Sequence, residues 1–356
     1  MKRLKAALIG YGRSGRDIHK HLFDLLPDLY EVVAVVDRDP QRRDMARREL
    51  GCPVYERYQE MFGQVEADFA VNASFSHEHH PISMHLLQQG WNVLSEKPAA
   101  TNRKDFDEMV AQARKSGKLY LVFQQYRFSP AFIKIQEMIA SGKVGRLVQV
   151  SARFKGFNRR WDWQTVHAFG AGSLLNTGAH PVDLMLALMG FPEDVEVFAA
   201  MDRAMTYGDA EDYVKVMLRA KGVPVADIEI TASDAFGDDI FLVQGTRGTI
   251  KGNDSRLELR YYIPENEPVQ KLTMEPLRDA EGAPIYCHEK LTIHHETWEA
   301  DPHGTGSFDT RGVDFYSLYY DVLVHGAEPV VKNEHVALQM SVMEEAHRQN
   351  RELFIK

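Results

Sequence analysis

Short apolar runs alternate with longer amphipathic stretches through the first third of the chain. The apolar runs predict strands at Lys5–Ile9, Glu31–Val36, Asp68–Ala73, Asn92–Ser95 and Leu119–Phe123. The stretches between them predict helices at Arg16–Leu26, Pro40–Leu50, His79–Gln89 and Asn102–Ser116. This alternation is typical of βαβ units, and nearly continuous apolar strands indicate a parallel sheet that is covered on both faces.

The pattern changes beyond Gln124. Helices are predicted at Pro130–Ser141 and, as one continuous helix, at Ser173–Met189. Strands are predicted at Leu147–Phe154, Val195–Met201, Tyr213–Arg219, Ala226–Ser233, Ile240–Gly245, Thr249–Gly252 and Leu257–Tyr262. Two helices, Gly312–Gly326 and Glu334–Arg351, close the chain, with Asn333 as the predicted N-cap of the second. We therefore predict an α/β domain over residues 1–124 and an α+β domain with a large, mostly antiparallel open sheet over residues 125–356. The C-terminal helices could pack back on the first domain, and a ligand site is expected in the cleft between the domains.

Composition narrows the class of protein. The 356 residues are 44% hydrophobic and 26% charged, as in ordinary globular proteins, and the net charge is -9. An acidic chain without a long Lys/Arg block is a poor partner for nucleic acid or an anionic membrane. The two cysteines, Cys52 and Cys287, match no disulfide or metal pattern, and the first apolar run is too short for a signal peptide. A cytoplasmic location is the expectation.

A glycine-rich loop follows the first predicted strand and opens the first predicted helix. It is the segment Gly10-Tyr11-Gly12-Arg13-Ser14-Gly15. In this context the glycines permit a tight turn, backbone approach to a pyrophosphate and close helix–strand packing, which is the fingerprint of a dinucleotide-binding Rossmann domain. Asp37 ends the second strand, where an acid binds the adenosine ribose hydroxyls and favours NAD. Arg38 follows it and leaves NADP open as an alternative.

Further motifs occur in a fixed order along the chain. The central one is Glu96-Lys97-Pro98; the others are Asn72-Ala73-Ser74 with His79-His80-Pro81, Gln124-Gln125-Tyr126-Arg127-Phe128, the run from Gly170 to His180, and Gly245-Thr246-Arg247-Gly248. Over essentially its whole length the sequence resembles the glucose–fructose oxidoreductase, inositol dehydrogenase and rhizopine-catabolism (Gfo/Idh/MocA) family. The resemblance implies hydride transfer between NAD(P) and a carbon–oxygen centre of a sugar, polyol or related cyclic compound, and a homodimer or homotetramer formed through the second sheet. It also implies a cis Lys97–Pro98 bond and cofactor contacts, besides the glycine loop, Asp37 and Arg38, from Asn72, Ala73, Ser74, His77, His80, Glu96, Lys97 and Gln125.

Alcohol oxidation needs a base for the hydroxyl proton and a cation beside the same oxygen. The resemblance assigns these roles to His180 and Lys97. Asn176, His180 and Asp183 stand at i, i+4 and i+7, so on one continuous helix they would share a face. The family usually has Asp where this chain has Asn176, and an amide cannot raise the pKa of a histidine as a carboxylate does. We therefore expect Asn176 to position substrate hydroxyls.

Aromatic and charged residues supply candidate substrate contacts. Aromatic faces pack on the C–H faces of sugars, while charged groups bind hydroxyls or a carboxylate. The candidates are Tyr126, Arg127, Arg160, Trp161 and Trp163, each with packing in the core as its alternative role.

No metal site is expected. The run His77-Glu78-His79-His80 lacks the His-Glu-x-x-His spacing, and His294, His295 and His303 are poorly spaced for zinc and are expected to lie on a loop. Two other functions remain open: an NAD-dependent glycosidase that oxidises its substrate only transiently, and a non-catalytic dinucleotide sensor.

Overall fold

The computed structural model describes residues 2–237, 239–301 and 307–354. Within them, a six-stranded parallel sheet has the strand order β3-β2-β1-β4-β5-β6. Its strands are Leu4–Ile9 (β1), Tyr30–Val36 (β2), Val54–Tyr55 (β3), Phe69–Asn72 (β4), Asn92–Ser95 (β5) and Tyr120–Val122 (β6). Its helices are His21–Leu25 (α1), Pro40–Leu50 (α2), His79–Gln88 (α3) and Arg103–Ser116 (α4). The predicted doubly covered α/β fold is confirmed; the short strand β3 was not predicted.

The second sheet has eight strands in the described residues, in the order β14-β13-β12-β11-β7-β10-β9-β8. The strands are Leu147–Lys155 (β7), Glu196–Asp202 (β8), Tyr213–Arg219 (β9), Val225–Thr231 (β10), Phe241–Gly245 (β11), Gly248–Gly252 (β12), Arg256–Tyr261 (β13) and His294–Glu299 (β14). The helices of this half are Pro130–Ala140 (α5), Ser173–Asn176 (α6), Ala179–Met189 (α7), Ser307–His325 (α8) and Asn333–Gln349 (α9). Among the described strands of this second sheet, only β7 and β10 pair in parallel, so the prediction of a mostly antiparallel sheet is also confirmed.

Three sequence expectations were wrong. The helix predicted over Ser173–Met189 is broken between Asn176 and Ala179. His294 and His295 lie in the edge strand β14 instead of a loop, because this polar segment pairs residue by residue with β13; His303 lies outside the described residues. Asn333 is the first residue of α9 and Lys332 its N-cap, because the carbonyl of Lys332 accepts the first main-chain hydrogen bonds of the helix. The Asn333 amide instead donates to the carbonyl of Tyr120.

The C-terminal helices cover the parallel sheet. Leu8 of β1 belongs to one buried cluster with Tyr316 and Tyr319 of α8. Ile9, on the opposite face of the same strand, belongs to another cluster that includes Met340 of α9. Residues 307–349 therefore contribute to the core beneath the glycine loop, while the domain boundary near Gln124 and assembly through the second sheet stay predictions. No helix in the described part of the chain has the length and apolar character to cross a membrane.

Candidate active site

The glycine loop leaves β1 at the carboxyl end of the parallel sheet. A Cβ on Gly10 would lie 2.5 Å from the carbonyl oxygen of Ala73, and one on Gly15 would lie 1.9 Å from the carbonyl oxygen of Gly10. The positive φ of Gly10, 96°, adds a second reason for glycine there. The helix over Arg13–Lys20 has π-type turns and begins earlier than predicted. Its first amides, at residues 13–15, have no acceptor within the helix and suit a pyrophosphate.

Asp37 is buried beside this loop. One carboxylate oxygen accepts the backbone N–H of Tyr11 at 2.7 Å, and the other accepts that of Asp39 at 2.9 Å. The Arg42 guanidinium lies 3.6 Å from the same carboxylate and would lie 3.2 Å from a Cβ on Gly12. Arg38 is exposed and paired with Glu78. These residues fit a dinucleotide: glycines leave room for the phosphates, and Asp37 is placed for the adenosine ribose.

The loops after β4 and β5 meet next to the glycine loop. Asn72 is fully buried and donates to the carbonyl of His79 and to Ser83, while its own oxygen accepts the hydroxyl of Ser74. His79, which the sequence reasoning assigned no role, lies between the two loops: its ring nitrogens are 2.7 Å from the carbonyl oxygen of Pro98 and 3.2 Å from that of Ser74. Burial lowers the pKa of His79 and keeps the ring neutral. The Lys97–Pro98 bond is cis, as predicted.

Lys97 reaches from the end of β5 across the cleft. Its Nζ donates to the backbone carbonyl of Asn176 at 2.8 Å. Burial lowers the pKa of Lys97, the charge of Glu96 opposes this effect, and the charges of Arg13 and Arg160 add to it. The half-buried ammonium therefore donates to one main-chain oxygen and is stabilised by the charge of one neighbouring carboxylate.

His180 lies near the start of α7, beside Tyr126 from the segment after β6. It is 8% exposed, its ring centroid is 4.4 Å from that of Tyr126, and its Nδ1 is buried without a hydrogen-bond partner among the described residues. Burial, together with the charges of Lys97 and Arg311, holds the pKa of His180 well below its ordinary value. A neutral imidazole beside a lysine is suited to accepting a hydroxyl proton.

The break between α6 and α7 separates residues that the sequence placed on one helix face. Asn176 ends α6, and its side-chain oxygen accepts from Gln164 at 3.2 Å. Glu211 fixes this turn because its buried carboxylate accepts the N–H of Leu174. Its carboxylate oxygens would both lie 2.4 Å from a Cβ on Gly172. Glu211 was missed, because it stands far from the motif in sequence.

Arg127 and Asp183 form a buried ion pair instead of lining the cleft. The guanidinium donates to both carboxylate oxygens, at 2.6 and 2.7 Å, and it also lies 4.7 Å from the ring centroid of Phe191. Both side chains are almost fully buried. This arrangement leaves Arg127 engaged with α7 and ties the segment after β6 to the helix that carries His180.

A cavity of about 330 Å³ is lined by residues that contact Lys97 and His180. Tyr126, Arg160, Gln164 and Asn176 are among its lining residues. Arg160 donates to Gln164, which in turn donates to Asn176, so a polar chain runs along one wall.

Trp161 and Trp163, in the segment before α6, have different surroundings. Trp161, next to the lining residue Arg160, is 78% exposed. Trp163 packs edge-on against Phe75, with ring centroids 4.6 Å apart, and so joins the loop after β4 to the second half of the chain.

Three other residues were predicted to contact the cofactor, and the structure gives the surroundings of each. His77 is exposed and 5.1 Å from the ring centroid of Phe169. His80 is turned toward α4, with its Nε2 3.1 Å from the carboxylate of Glu108. Gln125 is buried, and its side-chain oxygen has no partner among the described residues.

Comparison with known proteins agrees with this architecture. Residues 4–124 match the family model described as "Oxidoreductase family, NAD-binding Rossmann fold", and residues 132–251 match that of the "GFO/IDH/MocA C-terminal domain". The chain belongs to the Gfo/Idh/MocA oxidoreductase family. As a member of it, the protein is an NAD(P)-dependent dehydrogenase.

Its relatives are distant. The scyllo-inositol 2-dehydrogenase (NADP(+)) IolW of Bacillus subtilis is 24% identical over 98% of this chain and 94% of its own length. The trans-1,2-dihydrobenzene-1,2-diol dehydrogenase of Mus musculus is 28% identical over 69% of this chain and 73% of its own. The structure of GenD2 from gentamicin A biosynthesis, solved with NAD, superposes with a TM-score of 0.79 at 20% identity and covers 99% of this chain and 95% of its own. At that identity the superposition shows the shared fold.

Proposed function

We propose that this Gfo/Idh/MocA dehydrogenase oxidises a ring hydroxyl of a sugar, polyol or related cyclic compound, with His180 as the base and Lys97 as the cation beside the reacting oxygen. The observation that carries the proposal is that the residues contacting these two side chains line one cavity: the Asn176 carbonyl accepts from Lys97, and Tyr126 packs on His180. The charge of Lys97 also acts on His180. Bound NAD would supply the hydride acceptor. Gly10, Tyr11, Gly12, Arg13, Ser14, Gly15 and Asp37 would hold it, together with the loop at residues 72–74.

The cavity walls support a polyhydroxylated substrate. Arg160, Gln164 and Asn176 offer alternating donors and acceptors, which suit hydroxyl groups that both donate and accept. The exposed ring of Trp161 is available to pack on the C–H face of a sugar. These features favour a sugar or polyol over an apolar alcohol.

A substrate panel tests the proposal. Sugars, polyols and cyclic diols are offered with NAD⁺ or NADP⁺, and reduction is followed at the nicotinamide absorbance. We expect turnover of at least one cyclic polyol, with NAD⁺ favoured because the Asp37 carboxylate repels a 2′-phosphate. Tight NADH binding without turnover across the panel would contradict the proposal, and release of aglycone from a chromogenic glycoside with catalytic NAD⁺ would favour a glycosidase.

Replacing Lys97 tests the proposed cation. Lys97→Ala should reduce kcat about 10²-fold or more, because the charge that develops on the substrate oxygen loses its nearest cation. NADH binding, measured by fluorescence, should remain close to that of the wild type. Lys134→Ala on α5 serves as the matched control, since Lys134 pairs with Glu137 on the surface. Unaltered turnover in Lys97→Ala would refute the assignment.

Replacing Asn176 tests whether its amide positions the substrate. Asn176→Asp places a negative charge near His180 and should raise the pKa of that histidine, which moves the acid limb of kcat/KM to higher pH. KM should rise as well, because a carboxylate keeps the acceptor for Gln164 but lacks the amide N–H donors that can bind a substrate hydroxyl. Asn158→Asp adds the same charge elsewhere on the cavity wall and controls for net charge. An unchanged pH profile together with an unchanged KM would show that Asn176 has neither role.

A further inference from the structure

Glu96, the first residue of the Glu-Lys-Pro motif, is turned into the protein interior. It is 5% exposed, and one of its carboxylate oxygens accepts the backbone N–H of Lys97 at 3.0 Å. Its own N–H donates to the carbonyl of Asn72. Glu96 therefore holds the main chain of Lys97, while the Asn176 carbonyl binds its Nζ.

The second carboxylate oxygen of Glu96 faces His19, on the helix that follows the glycine loop. His19 is fully buried, and its Nε2 lies 3.2 Å from Glu96 Oε1. Its Nδ1 lies 2.7 Å from the hydroxyl of Tyr316 on α8. The ring of Phe123 packs against the imidazole at 4.8 Å between centroids. Three distant parts of the chain thus meet at one buried carboxylate.

The hydrogen-bonding capacities of these groups match one another. If the Tyr316 hydroxyl donates to Nδ1, a neutral imidazole carries its proton on Nε2, facing Glu96. This tautomer requires no extra buried charge and places the Nε2 proton toward the Glu96 carboxylate, which lies at contact distance but outside regular hydrogen-bond geometry. The backbone carbonyl of Tyr316 accepts from the Tyr30 hydroxyl at 2.6 Å, so α8 is itself anchored to the sheet.

We propose that His19 and Tyr316 are positioning residues for Lys97: together they orient the Glu96 carboxylate, and Glu96 in turn fixes the backbone and supports the charge of the reacting lysine. A pure packing role for His19 would require only its shape. The proposed role requires a donor at the position of Nε2, and this difference can be tested. The inference concerns the orientation and ionisation of Lys97. Only its expected effect on turnover rests on the proposed function.

The charges around Glu96 determine how loss of His19 should affect the ionisation of Lys97. Burial alone would raise the pKa of Glu96, but His19 and Lys97 hold it below its ordinary value. The charge of Glu96 also acts on Tyr316 and on His79, and it acts to raise the pKa of each. Without a donor from His19, the pKa of Glu96 rises, and a neutral Glu96 no longer supports the ammonium of Lys97.

The other charged groups near Lys97 do not compensate for the loss of the Glu96 charge. Arg13 and Arg160 already lower the pKa of Lys97, and His180 is neutral at working pH. Loss of the Glu96 charge should therefore lower the pKa of Lys97 further.

Two variants of His19 with side chains of similar size distinguish an orienting role from a packing role. His19→Leu removes the donor, whereas His19→Gln keeps an N–H that can reach Glu96. The full-length proteins are labelled with acetic anhydride over a range of pH, and modification of Lys97 is followed by mass spectrometry. This readout needs no substrate. We expect the midpoint for Lys97 to fall by about one pH unit or more in His19→Leu, which is a tenfold change in its ionisation equilibrium. His19→Gln should stay close to the wild type.

Turnover supplies the second readout. In His19→Leu, kcat should fall about tenfold with the alkaline limb of the profile moved to lower pH, while KM and NADH affinity change little. A shift in labelling without a change in turnover would support the role of His19 and contradict the catalytic role of Lys97. Equal labelling midpoints in folded His19→Leu and His19→Gln would overturn the inference.

A third variant covers the case in which His19→Leu does not fold. Tyr316→Phe removes one oxygen atom and keeps the ring that packs in the core. Because Tyr316 acts through His19, Tyr316→Phe should lower the labelling midpoint of Lys97 by less than His19→Leu does. A midpoint identical to that of the wild type would then overturn the inference.

Discussion

Replacing His180 with Asn is expected to reduce kcat for alcohol oxidation about 10²- to 10⁴-fold, the usual contribution of a general base. Asparagine keeps a polar group at the start of α7 but accepts no proton at neutral pH. NADH affinity, measured by fluorescence titration, should remain within a few-fold of the wild type, because His180 contacts the ring of Tyr126 and the main chain of Thr177, which lie outside the glycine loop. Steady-state kinetics on the substrate found in the panel provides the measurement.

The wild-type pH profile tests the same residue independently. His180 must be neutral to accept a proton, and its pKa lies well below the ordinary 6.5. Activity should therefore persist as the pH falls through 6.5 and decline only at lower pH. The pKa of Lys97 is lowered from 10.5, so the alkaline limb should lie below that value.

A control histidine distinguishes base catalysis from a general effect on folding. His85 is partly buried beside Tyr58 on the far side of the parallel sheet, and His85→Asn should leave kcat unchanged. If His180→Asn retained wild-type turnover while the control also remained active, another group would have to be the base.

Removing one partner of the Arg127–Asp183 pair should have the largest effect on stability. Arg127→Ala leaves the Asp183 carboxylate buried without its cation, which should lower the free energy of unfolding by about 3–5 kcal/mol. The change also removes the contact of the guanidinium with Phe191. Denaturant unfolding followed by circular dichroism gives the measurement, with Tm as a second measure if unfolding is not two-state.

A double variant identifies the cause. Arg127→Met with Asp183→Leu replaces both charges by apolar groups, and buried pairs replaced in this way lose little stability or none. We therefore expect the double variant to recover most of the loss seen in Arg127→Ala. An equal loss in the double variant would show that packing around Arg127, and not the unpaired carboxylate, controls stability.

Local signals in the sequence predicted most of the secondary structure. Strand β5 and helix α2 occupy the predicted residues, because Asn92–Ser95 is a short buried run and Pro40–Leu50 is bounded by Asp39 and Gly51, which cap it in the structure. The glycine loop could also be predicted from the sequence, since close packing at Gly10 and Gly15 is a property of the motif itself. Strand β14 was missed because its residues are polar, and only pairing with β13 makes them a strand.

Side-chain roles were harder to predict. Arg127 was a candidate substrate contact, yet its guanidinium pairs with Asp183. Asn176 and His180 were placed on one helix, but the helix breaks between them, and it is the main-chain carbonyl of Asn176 that binds Lys97. In each case the partner lies far away in the sequence, and periodicity carries no information about such pairs.

The sequence by itself determined the two kinds of sheet, the dinucleotide loop and, through the order of its motifs, the family. These features depend on local backbone conformation and on the spacing of apolar residues. Only the tertiary structure decided which polar groups meet: Lys97 with Asn176, Arg127 with Asp183, and Glu96 with His19 and Tyr316. A buried polar group needs a partner, and which partner it finds depends on how distant segments pack together.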